Sequence, residues 1–225
     1  MNIKNLLSLT SIFCLIGLTS NAQTTAVTED GDTIYVYQNG TWSFDKDEVS
    51  PIPNHLSFMY LDLDIDTLST PFTTPKSAKS KVSNDFISFD VNYNNDLWKR
   101  VPPATLNDDA EFGFQSKEHD IWSIVISEET TIAPDDLFRI AKNSMEENTG
   151  SEVEILKTEH RTINGTPIIR ATVRASFSGI TFIFDSYYYS NENGSVQFTT
   201  WTSDKIWKRN ENVILDLMNG FVVQK

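Results

Sequence analysis

Apolar residues recur with period two through most of the second half of the chain, and with helical spacing in two stretches of it. Alternation sends successive side chains to opposite faces of a strand, whereas recurrence at i, i+3, i+4 and i+7 builds one stripe along a helix. The alternating runs 86–93 ("FISFDVNY"), 110–115 ("AEFGFQ"), 120–127 ("DIWSIVIS"), 153–162, 166–177, 180–190 and 195–202 predict strands. The run 133–150 predicts a helix striped by Leu137, Phe138, Ala141 and Met145. Pro134 suits its first position, Asp135 and Asp136 suit the positive end of its dipole, and Gly150 suits its stop. A second helix is predicted over 203–221, with Ile206, Val213, Ile214, Leu217 and Met218 as its stripe. Ser203 or Asp204 can cap it and Gly220 can end it.

The pair 166–190 carries the most information. A two-residue turn at Ser178-Gly179 sets Ile169, Ala171, Val173, Ala175 and Phe177 opposite Tyr188, Ser186, Phe184, Phe182 and Ile180 on one face. The other face then holds Arg170, Thr172 and Arg174 opposite Tyr187, Asp185 and Ile183. Carried across the "NENG" turn, the register adds Trp201 to the first face and Val196 and Phe198 to the second. Strand 180–190 is thus apolar on both faces over part of its length, as in a sheet covered on both sides, and Phe184 is expected in the interior. The fold class is α+β: a largely antiparallel β-sheet covered by helices on both faces, an α/β/α sandwich, preceded by a small N-terminal β-hairpin.

That hairpin is read from "TIYVYQ" (33–38) and "TWSFD" (41–45), which alternate around Asn39-Gly40, a pair suited to a type I′ turn. A lone hairpin is marginal in water, so this one is expected to dock on something. Residues 51–81 hold Pro51, Pro53, Pro71 and Pro75 and read as a linker, in which "YLDLDIDTL" (60–68) can form an edge strand. The expected division is 1–22 signal peptide, 23–50 hairpin segment, 51–81 linker and 82–225 main domain.

The signal peptide rests on Lys4, the apolar run Leu6–Leu18, and the small residues Ser20 and Ala22 before Gln23. The run is interrupted by Ser8, Thr10 and Ser11 and is shorter than the ~20 residues that span a bilayer. Bulky Phe13 before Cys14 speaks against lipidation. Cleavage between Ala22 and Gln23 removes the only cysteine, leaving no disulfide, thiol nucleophile or thiolate metal site. The expectation is an exported protein, periplasmic or extracellular, with no membrane span in the mature chain.

Charge narrows the partners. The chain has 18 Lys+Arg against 31 Asp+Glu, which argues against nucleic acid, whose binding needs a basic face. Residues 23–66 hold nine acids (Glu29, Asp30, Asp32, Asp45, Asp47, Glu48, Asp62, Asp64 and Asp66) and one base, Lys46. Asp62, Asp64 and Asp66 resemble a cation loop, but Thr67 and Thr73 stand where an EF-hand needs glycine and an acid, so an amphipathic strand with a charged face is preferred. His55, His119 and His160 lack the spacing of zinc ligands, and neither a GxSxG elbow nor a glycine-rich phosphate loop occurs. No metal or other cofactor is expected. Asn39, Asn164 and Asn193 open Asn-Gly-Ser/Thr tripeptides, read as turns rather than glycosylation sites. Arg170, Arg174, Asp185 and Tyr187 share one sheet face. They are the candidate binding patch for a carboxylate or peptide, weighed against a structural network in which Arg170 lies over Tyr187 and Arg174 reaches diagonally to Asp185.

The order of elements resembles the PsbP-like superfamily, which includes the extrinsic photosystem subunit, a Ran-binding protein of the nucleus and many bacterial envelope proteins. The resemblance covers residues 82–225. It rests on the opening strand leading to Trp98 ("FDVNYNNDLWKR"), the helix after "APDD", the strands of "TINGTPIIRATVRASFSGITFIFDSYYYSNENGSVQFTTWT", and the last helix ending "LMNGF". It implies a PsbP-like sandwich and a role in binding or stabilising a partner, with no shared chemistry. The expected function is a non-enzymatic binding or accessory protein of the cell envelope, acting on an envelope protein or small ligand. The alternative is an envelope hydrolase with a histidine–carboxylate site.

Overall fold

Three sheets and two α-helices make up the described residues, 24–28, 31–36, 42–45, 58–59, 61–68 and 70–224, of the computed structural model. The chain forms two compact units, Met1–Ser57 and Phe58–Lys225. The signal peptide, with its Ala22–Gln23 junction, lies outside the described residues, as do Asn39-Gly40, Pro51, Pro53 and His55.

In the first unit, β1 (Thr24–Val27), β2 (Thr33–Val36) and β3 (Trp42–Ser43) form an antiparallel sheet in that order. The extra strand β1 enlarges the expected hairpin, since three strands are what independent stability requires. Tyr35 lies opposite Ser43 and Val36 opposite Trp42. A two-residue loop at Asn39-Gly40 would instead set Tyr35 opposite Phe44.

The second unit begins with β4 (Asp66–Thr67), β5 (Ser80–Asn84), β6 (Phe89–Tyr93), β7 (Trp98–Val101), β8 (Ala110–Ser116) and β9 (Trp122–Glu128). It continues with α1 (Pro134–Thr149), β10 (Glu154–Ile163), β11 (Thr166–Phe177), β12 (Ile180–Asn191), β13 (Gly194–Ser203), α2 (Asp204–Met218) and β14 (Phe221–Val223). The large sheet runs β4-β10-β11-β12-β13-β9-β8-β7, and a small one runs β14-β6-β5. Among the described strands of the large sheet β4 alone pairs in parallel, against β10, and the isolated bridge of Phe72 to Ile163 is parallel as well. The unit is therefore α+β with large, mainly antiparallel sheets.

Ser178 and Gly179 take φ of 50° and 80°, the left-handed pair that a type I′ turn needs. Ile169 accordingly pairs with Tyr188, Val173 with Phe184 and Phe177 with Ile180, the register expected from the sequence, and Trp201 falls opposite Phe184 across β12–β13. Asn164-Gly165 makes a second left-handed turn, with φ of 51° and 83°. Asn193 also lies in a turn, while Gly194 already pairs with Asn191 as the first residue of β13.

The two sheet faces are covered differently. Leu137, Phe138 and Ala141 of α1 pack with Ile169, Ala171, Val173, Ala175 and Tyr188 on one face. The other face meets Ile214, Leu217 and Met218 of α2 together with Val82, Phe89, Val91 and Phe221 of the small sheet. On the α1 face, Phe182, Phe184, Trp122 and Trp201 remain partly exposed. The expectation of an interior Phe184 is thus corrected: β12 is buried at Ile183, Asp185, Tyr187 and Tyr188, but at Phe184 the helix has already left the sheet open.

Three short strands depart from the sequence expectation. β5, β7 and β14 are all additional, and β14 begins at Phe221, the last residue of the helix expected over 203–221. Gly220 explains that ending: the Asn92 backbone amide donates to its carbonyl, and a Cβ there would collide with the Asn92 carbonyl. Between the units' boundary and β5, the stretch of the expected linker is tied to the sheet. Phe72 bridges Ile163, the Leu68 amide donates to the His160 carbonyl, and Leu63 and Ile65 pack beside Ile155 while Asp62 and Asp64 stay exposed.

Candidate functional site

Alternation on β10 sends Glu159 and Arg161 to the α2 side of the sheet, beside Arg170 on β11 and Asp185 on β12. Arg170 donates to both Asp185 oxygens, Nε to Oδ1 at 2.7 Å and Nη2 to Oδ2 at 2.6 Å. It also reaches Glu159 Oε2 at 3.3 Å and Glu211 Oε1 of α2 at 3.1 Å. Asp185 further accepts from Thr172 Oγ1 and from Trp207 Nε1. Burial of Arg170 opposes its charge, but the hydrogen bonds and charge of Asp185, then the hydrogen bond to Glu211, hold its pKa above the usual arginine value. Burial likewise opposes ionisation of Glu159, yet Lys157, Arg170 and Arg161 together hold its pKa below the usual glutamate value.

Arg161 Nη1 donates to the Tyr187 hydroxyl at 3.0 Å, and that hydroxyl donates to Asn219 Oδ1 at 2.8 Å. The Arg161 guanidinium also lies 4.0 Å above the Phe72 ring. Burial pushes the Tyr187 phenol well above its ordinary value, so it stays protonated and serves as a donor. Arg174 stands apart from this network, paired with Glu154 and Asp204 near the surface.

The four sequence candidates therefore share a face, as their positions required, but with other partners than the alternation suggested. Asp185 goes to Arg170 instead of Arg174, and Tyr187 goes to Arg161 instead of Arg170. Glu159 and Arg161 were missed. Their signal was Lys157, Glu159 and Arg161 alternating in charge on a strand directly opposite Arg170. Arg170, Asp185 and Tyr187 are at most 2 % exposed, which makes this cluster an internal tie between sheet and α2 rather than a docking patch.

A concave feature of the unit lies on the other face. A cleft of about 810 Å³ runs between α1 and the open part of the sheet. Its floor is Ile124 and Ile126 of β9, Gln197, Thr199 and Trp201 of β13, and Phe182 and Phe184 of β12. One wall is α1, through Leu137, Ile140, Ala141, Ser144 and Met145; the opposite rim is Leu106, Asn107 and Asp109. Aromatic rings line one end: Phe177 lies 5.7 Å from Phe184 and Phe184 stacks 6.4 Å from Trp201, which in turn stacks 6.5 Å from Trp122 outside the cleft lining. The period of β12 and β13 marks these residues for one face, but which half of that face α1 covers is a tertiary fact with no local signal.

His119 and His160 are exposed, and neither lines the cleft. Among the described residues no group of histidine, cysteine or acidic side chains is arranged to hold a metal, and no helix is long and apolar enough to cross a membrane.

No protein-family model and no curated protein matches the chain. Solved structures do. The PsbP protein of the cyanobacterium Synechocystis is 14 % identical, with a TM-score of 0.51 over 67 % of this chain and 95 % of its own. The yeast Ran-binding protein Mog1 is 10 % identical, with a TM-score of 0.43 over 64 % of this chain and 94 % of its own. LpqN of Mycobacterium tuberculosis, involved in cell envelope biogenesis, is 11 % identical, with a TM-score of 0.41 over 65 % of this chain and 90 % of its own. The chain has the PsbP-like fold.

Proposed function

We propose that the protein is exported, with Gln23 at the mature N-terminus, and acts in the cell envelope as a non-enzymatic accessory protein that holds an apolar group of a partner in the cleft beside α1. The observation that carries this reading is the cleft itself. Its floor exposes aromatic rings that the fold could have buried, and concave, mainly apolar surface with a few polar groups is the usual form of a binding site. The buried ionic cluster on the opposite face supports the role indirectly, by fixing β10, β11, β12 and α2 as a rigid back to the binding face. A histidine–carboxylate hydrolase has no such support, because His119 and His160 are not brought to the cleft.

Nile red, an uncharged dye that brightens in apolar surroundings, tests the reading. The protein should bind one dye molecule, and Ser144→Trp, which adds a ring to the exposed wall of α1, should weaken binding at least about tenfold, a loss of about 1.4 kcal/mol, with an unchanged unfolding midpoint. Dye binding that ignores Ser144→Trp would place the apolar site elsewhere, and no dye binding would refute it.

A further inference from the structure

The cleft has two unlike ends. At one, Phe184 lies opposite Trp201 in the β12–β13 ladder. At the other, Glu128 lies opposite Ser195, and Asp109 precedes Ala110, which pairs with Ile126 of the same strand as Glu128. Ser195 and Trp201 are ends of one strand segment, so six steps of about 3.3 Å separate the acidic end from the aromatic end by roughly 20 Å. Among its lining residues are two acids, Asp109 and Glu128, and no lysine, arginine or histidine. Neither acid has a basic partner among the described residues, whereas the basic residues of the adjoining wall are spent: Arg139 pairs with Asp135 and Asp136, and Lys142 with Glu146. The chain as a whole carries a formal charge of −13.

Resting on the cleft as the binding site, we propose that its occupant is a short extended peptide segment of a partner protein. One end of that segment carries apolar side chains that seat on Phe184 and Trp201. The other carries lysine or arginine and meets Asp109 and Glu128. Length favours a peptide: a groove of roughly 20 Å matches about six extended residues, more than one compact apolar molecule can span. Polarity favours it too, because Asn107, Ser144 and Gln197 place amide and hydroxyl groups along the groove, where peptide groups need partners. Charge complementarity fixes its direction, since a basic residue over the aromatic end would leave both acids unpaired.

The test uses three probes on the purified protein: a rhodamine-labelled hexapeptide of three leucines followed by three lysines, its counterpart with glutamate for lysine, and Nile red. Two rim ion pairs at about 0.5 kcal/mol each predict about a fivefold preference for the lysine peptide. That preference should shrink with added salt. Asp109→Asn combined with Glu128→Gln should abolish it while Nile red binding stays. Ser144→Trp should weaken the lysine peptide and the dye alike. If wild type binds both peptides equally, or the double variant keeps the preference, the charged occupant is refuted and the apolar cleft stands. If neither peptide nor dye binds, both readings fail together.

Discussion

Arg170 holds two carboxylates where water does not reach, and removing it would strand them. Asp185 and Glu159 are both 0 % exposed. Breaking a buried ion pair from one side costs about 3–5 kcal/mol, because the remaining charge is left without its partner. Arg170→Met should lower stability by that amount in chemical denaturation, and adding Asp185→Leu should restore part of it. Glu159 gives the cluster a pH signature. Its folded pKa lies below its unfolded value, so between the two the unfolded chain binds more protons. Its stabilisation is complete above about pH 4.3, where an unfolded glutamate ionises, and is lost as pH falls through the lower folded value. Lys157→Met removes one of the groups that depress this pKa, so the acid limb of an unfolding-midpoint profile should move to higher pH. Side chains on the α1 face should rank by burial. Phe138 of α1, fully buried against the sheet, should cost about 3–5 kcal/mol as Phe138→Ala, whereas partly exposed Phe184 on the cleft floor should cost about 2 kcal/mol or less as Phe184→Ala.

At the level of elements, the segment from Phe58 to Lys79 belongs with the sheet it straps. Its Phe72 ring lies under Arg161, its Thr74 amide donates to Asn164 Oδ1 at 2.8 Å, and β4 covers part of the β10 edge. A chain beginning at Phe58 is expected to unfold with the midpoint of the longer protein. One beginning at Lys81, which also loses Ser80 of β5, should be less stable by at least about 2 kcal/mol; thermal unfolding of the two truncations decides it. Elements were legible where local chemistry set them. Ser178-Gly179 fixed the β11–β12 register, and Pro134 and Gly150 bounded α1. β5, β7 and β14 were illegible for a common reason: each is five residues or shorter, and β14 gains its strand character from β6, whose Val91 meets Phe221 across most of the domain's sequence. The partners of Asp185 and Tyr187 were hidden likewise, because alternation gives the face of a side chain but not which of several arginines on that face will claim it.

Over the whole molecule, the acids are unevenly placed: nine lie in residues 23–66 against one base, while residues 67–225 carry 22 acids and 16 bases. Such an acidic balance disfavours anionic partners. Intact-mass measurement of exported material should show a chain starting at Gln23 with no acyl group; a retained N-terminus or an acylated Cys14 would show another route out of the cell. The expectation of export rests on the first 22 residues alone, whereas the cleft had no local signal, since it arises where α1 stops short of β13 and β9.

Trp201 lines that cleft and stacks on Trp122 with the rings 23° from parallel. Two indoles held at such close quarters do not absorb light independently. Their excited states mix, and the right-handed twist of the strands that carry them gives the mixture a sign in circular dichroism. The protein thus has an optical gauge built into its binding face. A guest that tilts one indole would alter the coupled band while leaving the backbone signal untouched, so occupancy could be followed without a label, and Trp122→Phe supplies the blank.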